Sequence, residues 1–171
     1  RGGRSREDGS RGLTLITTEG DHGSGALAGR MRPTPWIERC PYLGQVLEAI
    51  GATWGRGRLM RLNGQAEVKA HVDINYYWRE RMRVHVPVVT TPSVRLHCGE
   101  GEINMGEGEC WIFHTWRRHR VLNAGNEPRI HLVADTVGGG GFWDLLAAGR
   151  PPGQRGPDWQ PARVGVDPQS K

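Results

Sequence analysis

The stretch Arg81–Val89, which reads RMRVHVPVV, decides the fold because two kinds of side chain alternate along it. Successive residues of a β-strand point to opposite faces of the sheet. One face of this strand is entirely apolar, whereas the other carries Arg81, Arg83, His85 and Pro87. This pattern predicts a strand whose apolar face packs on a hydrophobic core and whose polar face is turned away from that core.

Strand patterns continue on both sides of this stretch, from Trp54 to Val137, with turn residues about every ten positions. Short strands at such a spacing are typical of a β-sandwich or β-barrel. We therefore predict a mainly β domain. The other strands are expected at residues 56–62, 67–73, 93–98, 102–105, 109–113, 119–123 and 129–137.

A few helices should flank the strands. Pro41–Ile50 has apolar residues at helical spacing and stops at Gly51, and Phe142–Ala148 predicts a short helix that caps one end. Changes in composition along the chain set the expected boundaries of three segments. These are a flexible segment with a possible edge strand at 1–30, the folded domain at 31–148, and a Pro- and Gly-rich tail at 149–171.

Three predicted strands carry charged and imidazole side chains on the face that should point inward. An unpaired buried charge costs several kcal/mol, so such a face cannot line an ordinary apolar core. We interpret it as the wall of a cavity that binds an anionic ligand and a metal. The residues concerned are Lys69, His71, Asp73, Arg83, His85, Arg129, His131 and Asp135.

The metal ligands are predicted from His71-Val72-Asp73 and from His119. His71 and Asp73 are two positions apart and would share one face of a strand. Two histidines and one carboxylate leave coordination positions open, as in non-haem Fe(II) oxygenases. Each residue alone has a plainer explanation: His-x-Asp is a weak pattern, and His119 could be a surface residue among its arginine neighbours. The three together favour a metal and catalytic centre.

The bulk composition limits the kinds of partner and the cellular compartment expected for this protein. The net charge is +5, but the basic residues are scattered among acidic ones, which argues against a nucleic-acid surface. The chain contains no apolar run of about 18 residues, so no membrane span is expected. The odd number of cysteines, Cys40, Cys98 and Cys110, and the lack of a C-x-x-C pair predict free buried thiols in the reducing cytoplasm.

Six stretches, in this order and spacing, resemble the aspartyl/asparaginyl β-hydroxylase family of Fe(II)- and 2-oxoglutarate-dependent oxygenases, which includes bacterial proline hydroxylases. They cover about half of the chain and lie between Arg58 and Val137. The stretches are Arg58–Leu62, His71–Asp73, Arg83–Pro87, Gly108–Trp111, His119–Asn123 and Arg129–Asp135.

The resemblance implies a double-stranded β-helix, or cupin-like jelly roll. It implies that His71, Asp73 and His119 hold Fe(II) and that the activity is hydroxylation with 2-oxoglutarate as cosubstrate and O2 as oxidant. Arg129 matches the basic residue that anchors the distal carboxylate of 2-oxoglutarate, and Arg83 and His85 match a pair that contacts the cosubstrate near the metal.

The implied substrate is an aliphatic C–H of an amino acid, or of an Asp or Asn residue in a peptide or protein. Arg81, Arg117 and Arg118 are candidate cations for its carboxylate, and Tyr76, Tyr77 and Trp78 are either a substrate wall or ordinary packing.

Two alternatives remain open at this point. The first is a cupin-type metal enzyme with another activity, because His119 and Asn123 fit the His-x3-Asn spacing of the second cupin motif. The first cupin motif, however, requires His-x-His where this chain has His71-Val72-Asp73. The second alternative is a non-catalytic β-barrel interaction domain of a longer protein, which the intact ligand set argues against.

Overall fold

The structure is a computed structural model that describes residues 9–149. Most of the predicted tail, residues 150–171, lies outside the described residues, as do residues 1–8. The strands are β1 (Ser10–Thr18), β2 (Met31–Pro33), β3 (Trp54–Leu62), β4 (Ala66–His71), β5 (Met82–Val89), β6 (Val94–Cys98), β7 (Gly101–Ile103), β8 (Trp111–Ile112), β9 (His119–Asn123) and β10 (Arg129–Thr136). The helices are α1 (Pro35–Arg39), α2 (Pro41–Ile50) and α3 (Gly140–Ala147), with a 3₁₀ helix at Tyr76–Arg79.

The strands form two antiparallel sheets. The larger has the order β2-β1-β3-β10-β5-β8, and the smaller has the order β4-β9-β6-β7. From β3 onward the chain alternates between the sheets except at the β6–β7 pair, so that β3, β5, β8 and β10 belong to one sheet and β4, β6, β7 and β9 to the other. This connectivity is a double-stranded β-helix, and the predicted fold class is confirmed.

The hydrophobic core lies on the outer face of the larger sheet. Val84 and Val86 of β5 pack there with Leu43 and Leu47 of α2. Helix α2 has the predicted bounds, and it ends at Gly51, whose left-handed φ of 66° suits glycine. The apolar face of β5 is therefore turned outward to the helices, which leaves the polar face for the interior of the barrel.

The pairing of β10 with β5 orders the polar groups along that interior. His131 lies opposite Pro87, Val133 opposite His85, and Asp135 opposite Arg83. These residues are two apart on each strand, so they point to the same side. The predicted inner face of both strands is therefore present.

The strand before the metal-binding residues differs from the prediction. Strand β4 ends at His71, so Asp73 lies in the following loop, and an irregularity between Val68 and His71 breaks the alternation. Lys69, predicted to point inward, is exposed for this reason.

The N-terminal region also differs. Strand β1 pairs with β3 over most of its length and with β2 at its end, so residues 10–18 are neither a flexible segment nor an edge strand. Leu15 and Ile16 are buried in the core, which explains why this segment joins the sheet. The domain therefore begins earlier than residue 31.

The cysteines are free, as predicted, but Cys40 and Cys110 are exposed rather than buried. Desolvation by the neighbouring residues nevertheless raises the pKa of the Cys110 thiol to about 11, which disfavours the thiolate form. No helix within residues 9–149 is long and apolar enough to cross a bilayer.

The β3–β4 turn requires glycine at one position. A Cβ on Gly64 would overlap the backbone carbonyl of Asn126 in the loop before β10. The tight approach joins the β3–β4 turn to the β9–β10 loop at the closed end of the barrel, where the Asn123 amide also donates to the carbonyls of Asn63 and Glu127.

Candidate metal centre

Three side chains converge at one end of the smaller sheet. His71 is the last residue of β4 and His119 the first of β9, and the two are paired in register. Their ring centroids are 4.3 Å apart. The ligand atoms of His71, Asp73 and His119 all lie within 4.8 Å of one another. Ligand bonds to divalent metals are about 2.1 Å long, so a small closing movement lets one ion reach all three groups.

Asp73 is fixed although it lies outside the strand. Its backbone N–H donates to the Thr115 carbonyl at 3.1 Å. Its Oδ2 accepts a hydrogen bond from Nη1 of Arg83 at 3.0 Å, and its Oδ1 lies 3.9 Å from Nε2 of His71. One carboxylate oxygen is thus held by Arg83, and the other faces the histidines.

Backbone carbonyls set the tautomers of both histidines. Nδ1 of His71 lies 2.8 Å from the Lys69 carbonyl, and Nδ1 of His119 lies 2.9 Å from the Arg117 carbonyl. A carbonyl only accepts, so each Nδ1 carries the proton and each Nε2 presents a lone pair. This is the arrangement that orients histidine ligands in metal sites, and the donor set therefore fits a divalent metal.

Burial also favours the metal-binding form of His119. It lowers the pKa of this imidazole, and the neighbouring His71 adds to the effect, while the Arg117 carbonyl and Asp73 oppose it. Neutral imidazole is the form that binds metal, so His119 is already in the required state near neutral pH.

The structure places Arg83 at Asp73 and not in the inner cavity. Its Nε donates to Oδ1 of Asp135 at 3.1 Å, and its guanidinium stacks 4.1 Å above the ring of Trp78. Asp135 is almost completely buried and also accepts a hydrogen bond from the Tyr77 hydroxyl at 3.2 Å. The guanidinium of Arg83 is thus shared between two carboxylates. Its predicted contact with a cosubstrate stays a prediction.

A second group of polar residues lies deeper between the sheets. His85, Arg129 and His131 line a cavity whose other walls are apolar: Val94, Leu96, Met105, Phe113 and Val121. Nη2 of Arg129 lies 2.8 Å from Nδ1 of His131. Both ring nitrogens of His85, Nε of Arg129 and Nε2 of His131 are buried and have no hydrogen-bond partner among residues 9–149.

This inner cavity is electrostatically unbalanced. Burial, followed by the charge of Arg129, holds the pKa values of His85 and His131 well below their usual range. Burial lowers the pKa of Arg129 itself to about 10. Among residues 9–149, no carboxylate lies within ion-pair distance of the Arg129 guanidinium. A buried cation without a counter-ion is costly, and an anionic ligand would remove that cost.

Phe113 separates the inner cavity from the outside. Its ring centroid lies 5.2 Å from that of His85 and 5.2 Å from that of His119. Phe113 is half-buried and forms a wall of both the inner cavity and an open cleft. The inner cavity has a volume of about 10 Å³, room for about one water, so a larger ligand requires its walls to move apart.

The cleft on the other side of Phe113 has a volume of about 390 Å³. Arg81, Arg83, His114 and Thr115 give it polar groups, and its remaining lining is Met82, Ile112, Phe113 and Leu146. Of the three arginines predicted at a substrate mouth, Arg81 lines this cleft. Tyr77 and Trp78 are buried, which favours packing for these two, whereas Tyr76 is 79% exposed.

Sequence reasoning missed part of the site for identifiable reasons. The Thr115 carbonyl acts through the backbone, so its residue type carries no signal. The role of Tyr77 beneath Asp135 depends on the 3₁₀ helix that follows Asn75, whose side chain accepts from the Tyr77 N–H. Tyr77 follows the His-x-Asp stretch closely and was a candidate for a substrate wall, but nothing in the sequence pattern indicated that its partner is Asp135.

The sequence profile for aspartyl/asparaginyl β-hydroxylases matches residues 24–138, about two thirds of the chain. The chain belongs to this family. The resemblance read from the motifs is thereby confirmed, and the matched region includes the three metal-ligand candidates, Arg129 and every residue that lines the inner cavity. A search of curated proteins found no match.

Several solved structures are similar to this hydroxylase-family chain. A cupin 2 conserved barrel domain protein from Salinispora arenicola is 12% identical, with a TM-score of 0.45 over 85% of this chain and 87% of that one. TT1209 from Thermus thermophilus is 21% identical, with a TM-score of 0.38 over 47% and 70%. A cupin-superfamily sugar phosphate isomerase from Silicibacter pomeroyi is 23% identical, with a TM-score of 0.38 over 50% and 51%.

Asn123 does not strengthen the cupin alternative. Its amide group donates to two backbone carbonyls and accepts from the Gly125 N–H, at the end of β9 away from His119. The His-x3-Asn spacing therefore reflects a buried structural residue, and Asn123 is not a fourth metal ligand.

Proposed function

We propose that this protein is an Fe(II)- and 2-oxoglutarate-dependent dioxygenase that hydroxylates an aliphatic C–H of an amino acid, or of an Asp or Asn residue in a peptide or protein. The observation that carries the proposal is the pairing of two sites along one barrel axis. A two-histidine, one-carboxylate group lies at the rim, and Arg129, a cation without a counter-ion among residues 9–149, lies deeper.

His71, Asp73 and His119 would hold the iron. Two neutral imidazoles and one carboxylate supply three ligands and one negative charge, and they leave positions open for other ligands. When bound, the iron together with 2-oxoglutarate and O2 supplies the oxidative decarboxylation that is coupled to C–H hydroxylation. Arg83 keeps Asp73 from turning, because it binds the carboxylate oxygen that points away from the histidines.

Arg129 would bind the distal carboxylate of 2-oxoglutarate. A guanidinium offers a planar fork of N–H donors that matches a carboxylate. The apolar walls around it exclude water, which strengthens the ion pair and protects reactive species formed nearby. His85 lies between Arg129 and the rim, where it can contact the same molecule, and within the described residues neither of its ring nitrogens has a hydrogen-bond partner.

The open cleft beside Phe113 is the proposed substrate site. It adjoins the metal group through Thr115 and Arg83, both of which contact Asp73. Arg81 would bind a substrate carboxylate, whether that of a free amino acid or of an aspartyl side chain. The apolar lining would hold the carbon chain whose C–H is oxidised.

Anaerobic titration tests the proposal. We expect Fe(II) and 2-oxoglutarate added to the protein to produce the charge-transfer absorption of a 2-oxo acid chelated to iron. His119→Ala should lose this absorption. His97→Ala, which changes a half-buried histidine on the adjacent strand β6, should keep it. If the unmodified protein binds Fe(II) but shows no such band at millimolar 2-oxoglutarate, the cosubstrate assignment is wrong.

A substrate screen follows from the same proposal. Succinate release should be stimulated by at least one member of a panel of free amino acids and Asp- or Asn-containing peptides. A protein that binds metal but releases no succinate with any 2-oxo acid would instead favour a cupin-type enzyme of another activity.

A further inference from the structure

His131 is not assigned any role by the proposed cosubstrate contacts, yet it lies in the inner cavity with only 2% of its surface exposed. Its Nδ1 is 2.8 Å from Nη2 of Arg129. Its Nε2 is buried and has no hydrogen-bond partner in the part of the chain that the structure describes. A buried polar atom without a partner is rare and calls for a specific explanation.

The Arg129 contact fixes the tautomer of His131. A guanidinium has only donors, so Nδ1 of His131 must accept the hydrogen bond and cannot carry a proton. Burial and the charge of Arg129 lower the pKa of His131 and keep the ring neutral. A neutral ring with a bare Nδ1 carries its single proton on Nε2. The unpartnered atom is therefore an N–H donor that needs an acceptor.

The position of this donor is set by the strand register. His131 and Arg129 are two residues apart on the inner face of β10, and Asp135, which binds Arg83 beside the metal ligands, is four residues further along. Four residues of a strand span about 13 Å. His131 therefore lies beside Arg129 at the end of the cavity away from the metal group.

We propose that the Nε2–H of His131 donates a hydrogen bond to the distal carboxylate of 2-oxoglutarate, next to the ion pair that Arg129 makes with it. This inference rests on the proposed function, because it names a further residue of the same cosubstrate site. Arg129 then has two tasks: it binds the anion, and it orients the proton of its neighbour toward the same anion. The site would thus select a dicarboxylate over a 2-oxo acid that has no second carboxylate.

Two polar substitutions separate this role from a purely structural one. In His131→Asn, the side-chain oxygen lies near the position of Nδ1 and can still accept from Arg129, but the donor at Nε2 is lost. In His131→Gln, the side-chain amide reaches near the position of Nε2 and can still donate into the cavity. His131→Asn therefore removes only the hydrogen-bond donor of the imidazole, and His131→Gln removes only its acceptor.

The experiment measures anaerobic binding of 2-oxoglutarate and of pyruvate to the Fe(II)-loaded full chain. Pyruvate has the 2-oxo acid end but no distal carboxylate. A hydrogen bond to a charged group contributes about 10- to 100-fold in affinity. We expect His131→Asn to weaken 2-oxoglutarate binding by this factor and to leave pyruvate binding unchanged. His131→Gln should remain within about threefold of the unmodified protein for both ligands.

Each other outcome overturns the inference in a recognisable way. Equal 2-oxoglutarate affinity in His131→Asn and the unmodified protein would show that Nε2 makes no contact with the cosubstrate. Equal losses for both ligands would show that His131 acts through the general structure, as would a loss in His131→Gln as large as in His131→Asn. If the unmodified protein binds pyruvate and 2-oxoglutarate equally, or binds neither, the proposed cosubstrate site itself fails, and Arg129→Ala will then have no selective effect.

Discussion

The substitution Asp135→Asn tests whether the carboxylate ligand of the metal is held in place from behind. Asp73 is bound by Arg83, and Arg83 is bound by Asp135, which is only 1% exposed. Asparagine has nearly the same shape as aspartate but keeps one acceptor oxygen in place of two. It can therefore accept from Arg83 or from the Tyr77 hydroxyl, but not in the same way from both.

The expected changes in stability and in metal affinity follow from the hydrogen bond that Asp135→Asn loses. One charge-assisted hydrogen bond in a mostly buried setting contributes about 1.5–3 kcal/mol, so the free energy of unfolding should fall by an amount in this range. Loss of a partner that orients a metal ligand typically lowers metal affinity by about 10- to 100-fold. Because Asp135 does not touch the metal, this second effect reports the position of Asp73 through Arg83.

The assays are denaturant unfolding of the metal-free protein and Zn(II) or Co(II) titration of the folded protein. Glu67→Gln is the matched control, since it removes one carboxylate from the half-exposed ion pair with Arg120 and should cost no more than about 1 kcal/mol. The visible Co(II) spectrum should change in Asp135→Asn and stay constant in Glu67→Gln. Equal metal affinity and equal Co(II) spectra for the two variants would refute the reasoning.

Three further predictions concern stability. His85 and His131 have depressed pKa values in the folded state, so their contribution to stability is complete above about pH 6.5 and is lost as pH falls toward the folded-state pKa values. Below pH 6.5 each histidine should reduce the free energy of unfolding by up to about 1.4 kcal/mol per pH unit. Phenylalanine at either position should flatten this pH dependence in urea titrations. Leu132→Ala, in the core between the larger sheet and the helices, should cost about 2–5 kcal/mol in chemical denaturation, whereas Leu145→Ala on the exposed face of α3 should cost well under 1 kcal/mol. Gly64→Ala should cost about 1–3 kcal/mol and shift the thermal midpoint downward, because the new Cβ meets a backbone carbonyl that cannot rotate away.

Much of the fold could be predicted because most strands carry their own pattern. The alternation of Arg81–Val89 gave the sheet and its two faces, and the helical spacing of Pro41–Ile50 gave the helix and its end at Gly51. The N-terminal strand was underestimated because its residues do not alternate clearly. Its place in the sheet comes from contacts of Leu15 and Ile16 with residues far away in the chain.

The candidate site was predictable at the level of residue type. His71, Asp73 and His119 were identified from their chemistry and order, and the structure brings them together. Their exact roles as cofactor ligands, like those of Arg129, Arg83 and His85, stay predictions until metal and cosubstrate binding are measured. The sequence did not reveal the contacts of Arg83 with Asp73 and Asp135, because no local pattern connects these two carboxylates to it.

The sequence by itself determined which side chains could do chemistry and, along β5 and β10, on which face of the strand they lie, because strand alternation is a local property of the backbone. Only the tertiary structure decided which of them meet. The register between β10 and β5 brings Arg83 to Asp135, the end of β4 brings His71 to His119, and the Arg129 contact fixes the proton on His131. Pairing between distant strands depends on the closure of the whole barrel, and that information does not exist in any single segment.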